Sequence, residues 1–378
     1  MKIVIAPDSY KESLTAMEVA TAIENGFKEI IPDAKYTKLP MADGGEGTVQ
    51  SLVDATQGKV ISANVTGPLG EPVEGFYGVL GDGSTAVIEM AAASGLHLVE
   101  PSKRNPLFTT TFGTGELIRL ALSSGIKHII LGIGGSATND GGMGMAQALG
   151  ARFYDKSGTE LGFGGGSLSQ LAKIDLSGLD KRLANIKLEV ACDVDNPLCG
   201  PKGASHVFGP QKGATQAMVE QLDKNLAHYA DIILHTTGRD IVNQSGAGAA
   251  GDIGAALLGL FDTHLRSGIS IVMDSVQLQQ EVKDADLVIT GEGRIDSQTI
   301  YGKTPIGVAR IAKKYQIPVI GIAGSISQDC HVVYGHGIDA VYSVVLGATD
   351  LSTAIKEAKS NIEITARNIA AALALTLK

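Results

Sequence analysis

Cysteine is scarce in this chain, with three residues in 378: Cys192, Cys199 and Cys330. None stands in a C-x-x-C spacing, which excludes a zinc knuckle and a disulfide framework and fits a reducing cytoplasm. Positive charge is also in deficit. Thirty-one Lys and Arg stand against 40 Asp and Glu, a formal net charge of −9, so neither nucleic acid nor an anionic membrane is an expected partner. No uncharged apolar run reaches the roughly 18 residues of a membrane span. The opening apolar run Ile3–Ala6 meets Pro7 and Asp8, too short for the core of a signal peptide. A soluble cytoplasmic protein is expected. Familiar chemical signatures are missing too. The chain has no H-E-x-x-H and no G-x-S-x-G, against zinc peptidases and serine hydrolases. Walker A is absent, since Ser297 occupies the first-glycine position ahead of Gly302-Lys303-Thr304.

Glycine is what the chain has in excess: 48 residues, well above the roughly 7% average usage. The glycines gather in short loops after apolar runs, where backbone turns sharply or approaches a ligand closely. Lys2–Ala6 reads as a buried strand. Val19, Ile23, Phe27, Ile30 and Ile31 then follow helical spacing, opened by a Thr15-x-x-Glu18 capping box and closed by Pro32. Towards the C-terminus, strands at Leu287–Thr290, Val319–Ile322 and Ala340–Val345 alternate with a helix from Pro305 and a long helix over Leu351–Leu377. Such alternation predicts an α/β fold with a parallel sheet. Both ends of the chain resemble halves of one sheet, so the expectation is two domains: residues 1–61 with 281–378 form one, and 62–280 form a second α/β domain inserted into it.

Ligands bind such sheets at strand ends, and there the polar residues collect. Asp8, Ser9 and Lys11 follow the first strand, and Asp43-Gly44-Gly45-Glu46-Gly47 follows a weaker strand at Lys35–Leu39. Gly132–Gly142 (GIGGSATNDGG) follows His128–Ile133, Asp193–Gly200 follows Val190–Cys192, and Gly291–Gln298 (GEGRIDSQ) follows Leu287–Thr290. Glycine turns aim backbone N–H groups at anions, and paired acids suit magnesium or a substrate hydroxyl. Together they provide the inventory of phosphoryl transfer, to which Lys303 could add a phosphate contact. Gly132-x-Gly134-x-x-Ala137 with Asp155 also matches a dinucleotide fingerprint, although Asn139–Gly142 would break the helix that fingerprint requires.

Pro7–Leu14 (PDSYKESL), Ala42–Thr48 (ADGGEGT), Gly134–Gly142, Phe208–Ala214 (FGPQKGA), Gly291–Gln298 and Gly302–Ala309 (GKTPIGVA) resemble, in this order, the motifs of bacterial-type glycerate kinases. The resemblance spans essentially the whole chain. It implies ATP- and magnesium-dependent phosphorylation of D-glycerate, usually at the 2-hydroxyl to give 2-phosphoglycerate. It also implies a discontinuous Rossmann- or flavodoxin-like domain with an α/β domain inserted, and a site in the cleft.

On that reading Lys11 and Arg294 meet the substrate carboxylate or the transferring phosphate, with Asp8, Ser9, Gly44, Gly45 and Glu46 around the substrate. Gly134, Gly135, Ser136, Thr138, Asn139 and Asp140 cradle the nucleotide phosphates, with Lys212 and Lys303. Asp193 is the first choice for orienting or deprotonating the hydroxyl. Asp43 and Asp296 are its alternatives, and Asp43 and Asp193 are the candidate magnesium ligands. One departure is visible: Asp252 follows Gly246–Gly251 (GAGAAG) where the family pattern more often has glycine. If that backbone needs φ > 0 it is modestly strained, and a carboxylate near a nucleotide phosphate would repel it and reduce activity. The competing readings are a non-catalytic metabolite-binding protein on this scaffold and an NAD-linked hydroxy-acid dehydrogenase. The presence of Asp8, Asp43, Asp193 and Asp296 together favours an enzyme.

Overall fold

The structure is a computed structural model that describes residues 1–261 and 263–375. Its strands, in chain order, begin with β1 (Lys2–Pro7), β2 (Lys35–Lys38), β3 (Lys59–Thr66), β4 (Pro72–Val79) and β5 (Thr85–Glu89). Next come β6 (His128–Gly132), β7 (Arg152–Tyr154), β8 (Lys173–Asp175), β9 (Lys187–Ala191) and β10 (His264–Arg266). The last are β11 (Leu287–Ile295), β12 (Val319–Ile326) and β13 (Ala340–Ser343). The chain divides into two compact units. One comprises Met1–Asp43, Gln50–Gln57 and Ile269–Lys378, and the other Gly44–Val49 with Gly58–Gly268.

The first unit is built on a five-stranded parallel sheet in the order β13-β12-β11-β1-β2. Strands covered on both faces read as continuous apolar runs, and Ile3, Ile5, Ile289 and Ile322 are accordingly buried among Val19, Ile23, Phe27, Ile362 and Ile369. Helix Ala16–Lys28 begins at the expected capping box: Glu18 N donates to Thr15 Oγ1 at 3.2 Å, and Thr15 N to Glu18 Oε2 at 2.8 Å. The long C-terminal helix is two helices, Leu351–Lys356 and Ala358–Ala374, separated at Glu357. Asp350 starts the first by accepting from Thr353 N. The expected last residues, 376 and 377, lie outside the described residues.

β11 is longer than the apolar run Leu287–Thr290 suggested. Its ladder with β12 continues to Ile295↔Ile326, because Gly291 lets the strands approach: a Cβ there would lie 1.9 Å from Ile322 O. Glu292, Gly293 and Arg294 therefore project from a strand and not from a loop. The chain runs outward from β1 to β2 on one side and from β11 to β12 and β13 on the other. The boundary between β1 and β11 is thus a topological switch point, where open α/β sheets bind ligands.

The second unit holds a six-stranded sheet in the order β10-β9-β6-β5-β4-β3. β5, β6, β9 and β10 run parallel, while β4 and β3 add an antiparallel edge. The turn-rich stretch Thr66–Ile88 is the return through β4 into β5, and β7 and β8 form a separate two-stranded pair. Apolar side chains of β5, β6 and β9 pack against helices Phe112–Ser123, Met143–Ala148 and Ala249–Gly259 in one core.

Candidate active site

At the switch point of the first unit, a pocket of about 360 Å³ is lined by Asp8, Ser9, Lys11, Asp43, Glu292, Gly293, Arg294 and Lys303. Asp8, Ser9 and Lys11 leave the end of β1, and Glu292 to Arg294 come from the end of β11. Asp8 N donates to Gly291 O at 2.8 Å, tying the two strand ends together. The Asp8 carboxylate is held from two sides: Thr304 Oγ1 donates at 2.6 Å and Ser9 N at 2.7 Å. Burial pushes the Asp8 carboxyl up to about 6, with the Thr304 hydroxyl opposing the shift and the nearby Asp43 charge adding to it. Glu292 accepts from Thr299 Oγ1 at 2.6 Å and pairs with Lys303 at 3.4 Å. Its carboxyl too is raised by burial. Three cations and three carboxylates thus face one cavity, an arrangement suited to a small hydroxy acid carrying its own negative charge.

In the second unit, a cavity of about 430 Å³ opens at the ends of β5 and β6. Its walls combine glycine backbone (Gly44, Gly45, Gly132, Gly134 and Gly135) with Phe76, Ala91, Ala92 and His97. Two acids, Glu46 and Glu89, complete it, and among the described residues no Lys or Arg lines it. Glu89 ends β5 and accepts from Val49 N at 2.8 Å, which anchors the start of helix Thr48–Thr56. Burial raises its carboxyl, and the Val49 N–H opposes that. Glu89 was absent from the residues expected at a site. Its signal was a lone acid closing an apolar strand (TAVIE).

The structure redistributes several expected residues. Gly44, Gly45 and Glu46, expected around the substrate, line the cavity of the second unit with Gly134 and Gly135. Lys303, expected at the nucleotide, lines the pocket of the first unit. Asp296 is a turn residue, accepting from Gln298 N at 2.9 Å and pairing with Arg294 at 3.3 Å. Asp193 lies exposed after β9 and accepts from Gly268 N at 3.1 Å.

Ser136, Thr138, Asn139, Asp140 and Lys212 are buried in the second unit, none more than 4% exposed. Asp140 accepts from Thr111 N, Gly142 N and Gly144 N at 2.8–3.2 Å. Lys212 Nζ donates to Ser136 Oγ at 2.7 Å and to Thr138 O at 2.6 Å. These side chains are turned into the interior, with Thr138 Oγ1 and Asn139 Oδ1 left without a hydrogen-bond partner among the described residues, while Gly134 and Gly135 line the cavity. The dinucleotide fingerprint fails for a related reason: helix Met143–Ala148 starts only after Gly142, far past the glycine turn. Asp252 does take the left-handed conformation, at φ 70°. Its carboxylate is fully buried and accepts from Asn139 Nδ2 at 2.8 Å.

A parallel sheet carrying a cation-lined pocket at its strand ends, together with a second α/β unit with its own strand-end cavity, defines an α/β enzyme acting on small charged metabolites. The chain belongs to the glycerate kinase family, whose pattern it matches over residues 3–374. It is 64% identical over 375 residues to a glycerate kinase of Bacillus subtilis (strain 168), covering 99% of this chain and 98% of that one. It is 60% identical over 378 residues to the glycerate 2-kinase of Escherichia coli (strain K12), covering 100% and 99%. A crystal structure of a candidate glycerate kinase 2 from Salmonella typhimurium LT2 superposes with a TM-score of 0.92 at 59% identity, covering 100% of this chain and 99% of that chain.

Proposed function

We propose that the protein transfers the γ-phosphoryl group of ATP in line to the 2-hydroxyl of D-glycerate, giving 2-phosphoglycerate and ADP. The observation that carries this reading is the pocket at the β1–β11 switch point, where Lys11, Arg294 and Lys303 face Asp8, Asp43 and Glu292. In a protein of net charge −9, an anionic substrate needs such a local set of cations. Lys11 and Arg294 take the glycerate carboxylate, and Lys303 takes the incoming phosphoryl group. Asp8 receives the proton of the attacking hydroxyl, since a carboxyl near 6 is ionised at neutral pH yet basic enough to accept it. Asp193, exposed and held by the Gly268 amide, becomes the alternative.

The cavity of the second unit takes the nucleotide. Phe76, Ala91, Ala92 and His97 offer a base an apolar wall, and Glu46 and Glu89 offer acceptors to an amino group or hydroxyl. Gly134 and Gly135 let phosphates approach backbone amides. Magnesium in phosphoryl transfer needs one or two carboxylates besides the substrate's own phosphates. Asp43 in the first unit and Asp193 in the second are each a candidate ligand, and no cage of three or more His, Cys, Asp or Glu exists among the described residues. The ion would supply charge neutralisation on the transferring phosphates. Incubation with ATP, magnesium and D-glycerate should release ADP, and phosphorus NMR should identify 2-phosphoglycerate. No ADP, with NADH formed from a hydroxy acid and NAD, would overturn the kinase reading in favour of a dehydrogenase.

A further inference from the structure

The mechanism leaves unused a cluster of charged groups sealed inside the second unit. Lys212 is 1% exposed and Asp252 and Asp140 are 0% exposed. Asp140 is accounted for by the backbone amides it accepts, those of Thr111, Gly142 and Gly144. Lys212 and Asp252 are not accounted for by any local structure. They approach the glycine loop from two separate segments and grip neighbouring residues of it. Lys212 binds Ser136 and Thr138. Asp252 binds Asn139, whose amide also reaches Ser205 Oγ at 3.2 Å.

The backbone around this cluster is shaped to admit it. Ala250, Gly251 and Asp252 are consecutively left-handed, at φ 54°, 73° and 70°, breaking helix Ala249–Gly259 near its start. A Cβ on Gly251 would lie 2.3 Å from Lys212 Nζ and 1.9 Å from Thr138 O. The break thus wraps bare glycine backbone against the ammonium. Left-handed residues other than glycine cost free energy and persist where the surroundings demand them. Here the enclosed Asp252 carboxylate accepts from Asn139 on the glycine loop, while the enclosed Lys212 ammonium donates to Ser136 and Thr138 of the same loop.

We propose that Lys212 and Asp252 are positioning residues: together they clamp Ser136–Asn139 and so hold Gly134 and Gly135 in the nucleotide cavity. Neither touches substrate. The effect on ATP rests on the nucleotide reading of that cavity, whereas the clamp itself does not.

The test compares Asp252→Gly, Lys212→Met and the double variant Lys212→Met/Asp252→Asn in the full-length enzyme. Amide hydrogen exchange over residues 134–139, KM for ATP, kcat and Tm are measured. Asp252→Gly suits the φ 70° backbone and should fold, with exchange over 134–139 faster by fivefold or more. Its KM for ATP should rise by at least fivefold and its kcat change by less than twofold. Lys212→Met alone should lose Tm, because it strands a buried carboxylate. The double variant should recover that Tm yet keep the fast exchange and raised KM, which a purely structural pair would not do. Wild-type exchange rates over 134–139 in both Asp252→Gly and the double variant would overturn the clamp. Fast exchange with unchanged KM for ATP would sustain the clamp and reject the nucleotide reading instead.

Discussion

At the scale of a residue, Asp8 carries a cost that depends on pH. Its folded-state carboxyl sits near 6 against an ordinary 3.8, with burial as the main cause. The folded protein therefore holds this proton more tightly than the unfolded chain does. By linkage the group costs nothing below about pH 3.8, destabilises progressively up to about 6, and imposes its full penalty above that. Asp8→Asn should accordingly raise stability by about 1–3 kcal/mol at pH 7–8 and leave it nearly unchanged at pH 4. Urea melts at both pH values check this. The same substitution should lower kcat by about 10²–10⁴-fold if Asp8 accepts the proton. The wild-type acidic limb near pH 6 should then vanish from the residual rate. A variant that gains stability at pH 8 with undiminished kcat would transfer the base role to Asp193 or Asp43.

At the scale of the element, legibility followed how local the determining physics is. The start of helix Ala16–Lys28 was readable because its signals, Thr15, Glu18 and the apolar period, lie within a few residues of one another, whereas its end falls at Lys28 and not at Pro32, leaving Ile30 and Ile31 outside it. β1 and the core of β11 were readable as continuous apolar runs. The extension of β11 through Glu292–Ile295 was not, because it depends on Gly291 meeting Ile322 O on another strand. That close approach makes a firm prediction. Gly291→Ala should destabilise by about 3 kcal/mol or more through overpacking, and it should also disorder Glu292 and Arg294. Thr15→Ala should cost only about 1 kcal/mol through the lost cap and leave turnover intact. Chemical denaturation of both variants, with kcat alongside, separates the two.

The site was legible to a similar extent. The strand-end loops and their charged residues were visible along the chain, and Asp8, Ser9, Lys11, Asp43 and Arg294 do line one pocket. Which way a side chain faces was not visible. Asn139 and Asp140 look like phosphate ligands in a glycine-rich loop, but partners far along the chain, Asp252 and Thr111, hold them inward, and Lys212 reaches in from another segment to donate to Ser136 and Thr138. Glu89 was hidden for the converse reason: its importance comes from Val49, forty residues away in the chain.

At the scale of the whole molecule, the two pockets differ in charge, and this should govern what each unit senses. The first has Lys11, Arg294 and Lys303 on its walls, while the second has Glu46 and Glu89 and, among the described residues, no Lys or Arg. D-glycerate, a compact anion, should gain most from the first. Adenosine offers a flat base and neutral hydroxyls and should gain most from the second. Binding to the native state protects amides at the site against exchange. D-glycerate alone should therefore slow exchange over residues 8–11 and 292–303. Adenosine or a non-hydrolysable ATP analogue alone should slow it over 44–46, 89–97 and 132–135. Because Lys11 and Arg294 are exposed, salt should screen the first response. Raising ionic strength from 0.05 to about 0.5 M should raise the KM for glycerate severalfold while hardly moving the affinity for adenosine. Protection by glycerate at 89–97 without any at 292–303 would exchange the assignments of the two pockets, and with them the roles of Lys11 and Arg294.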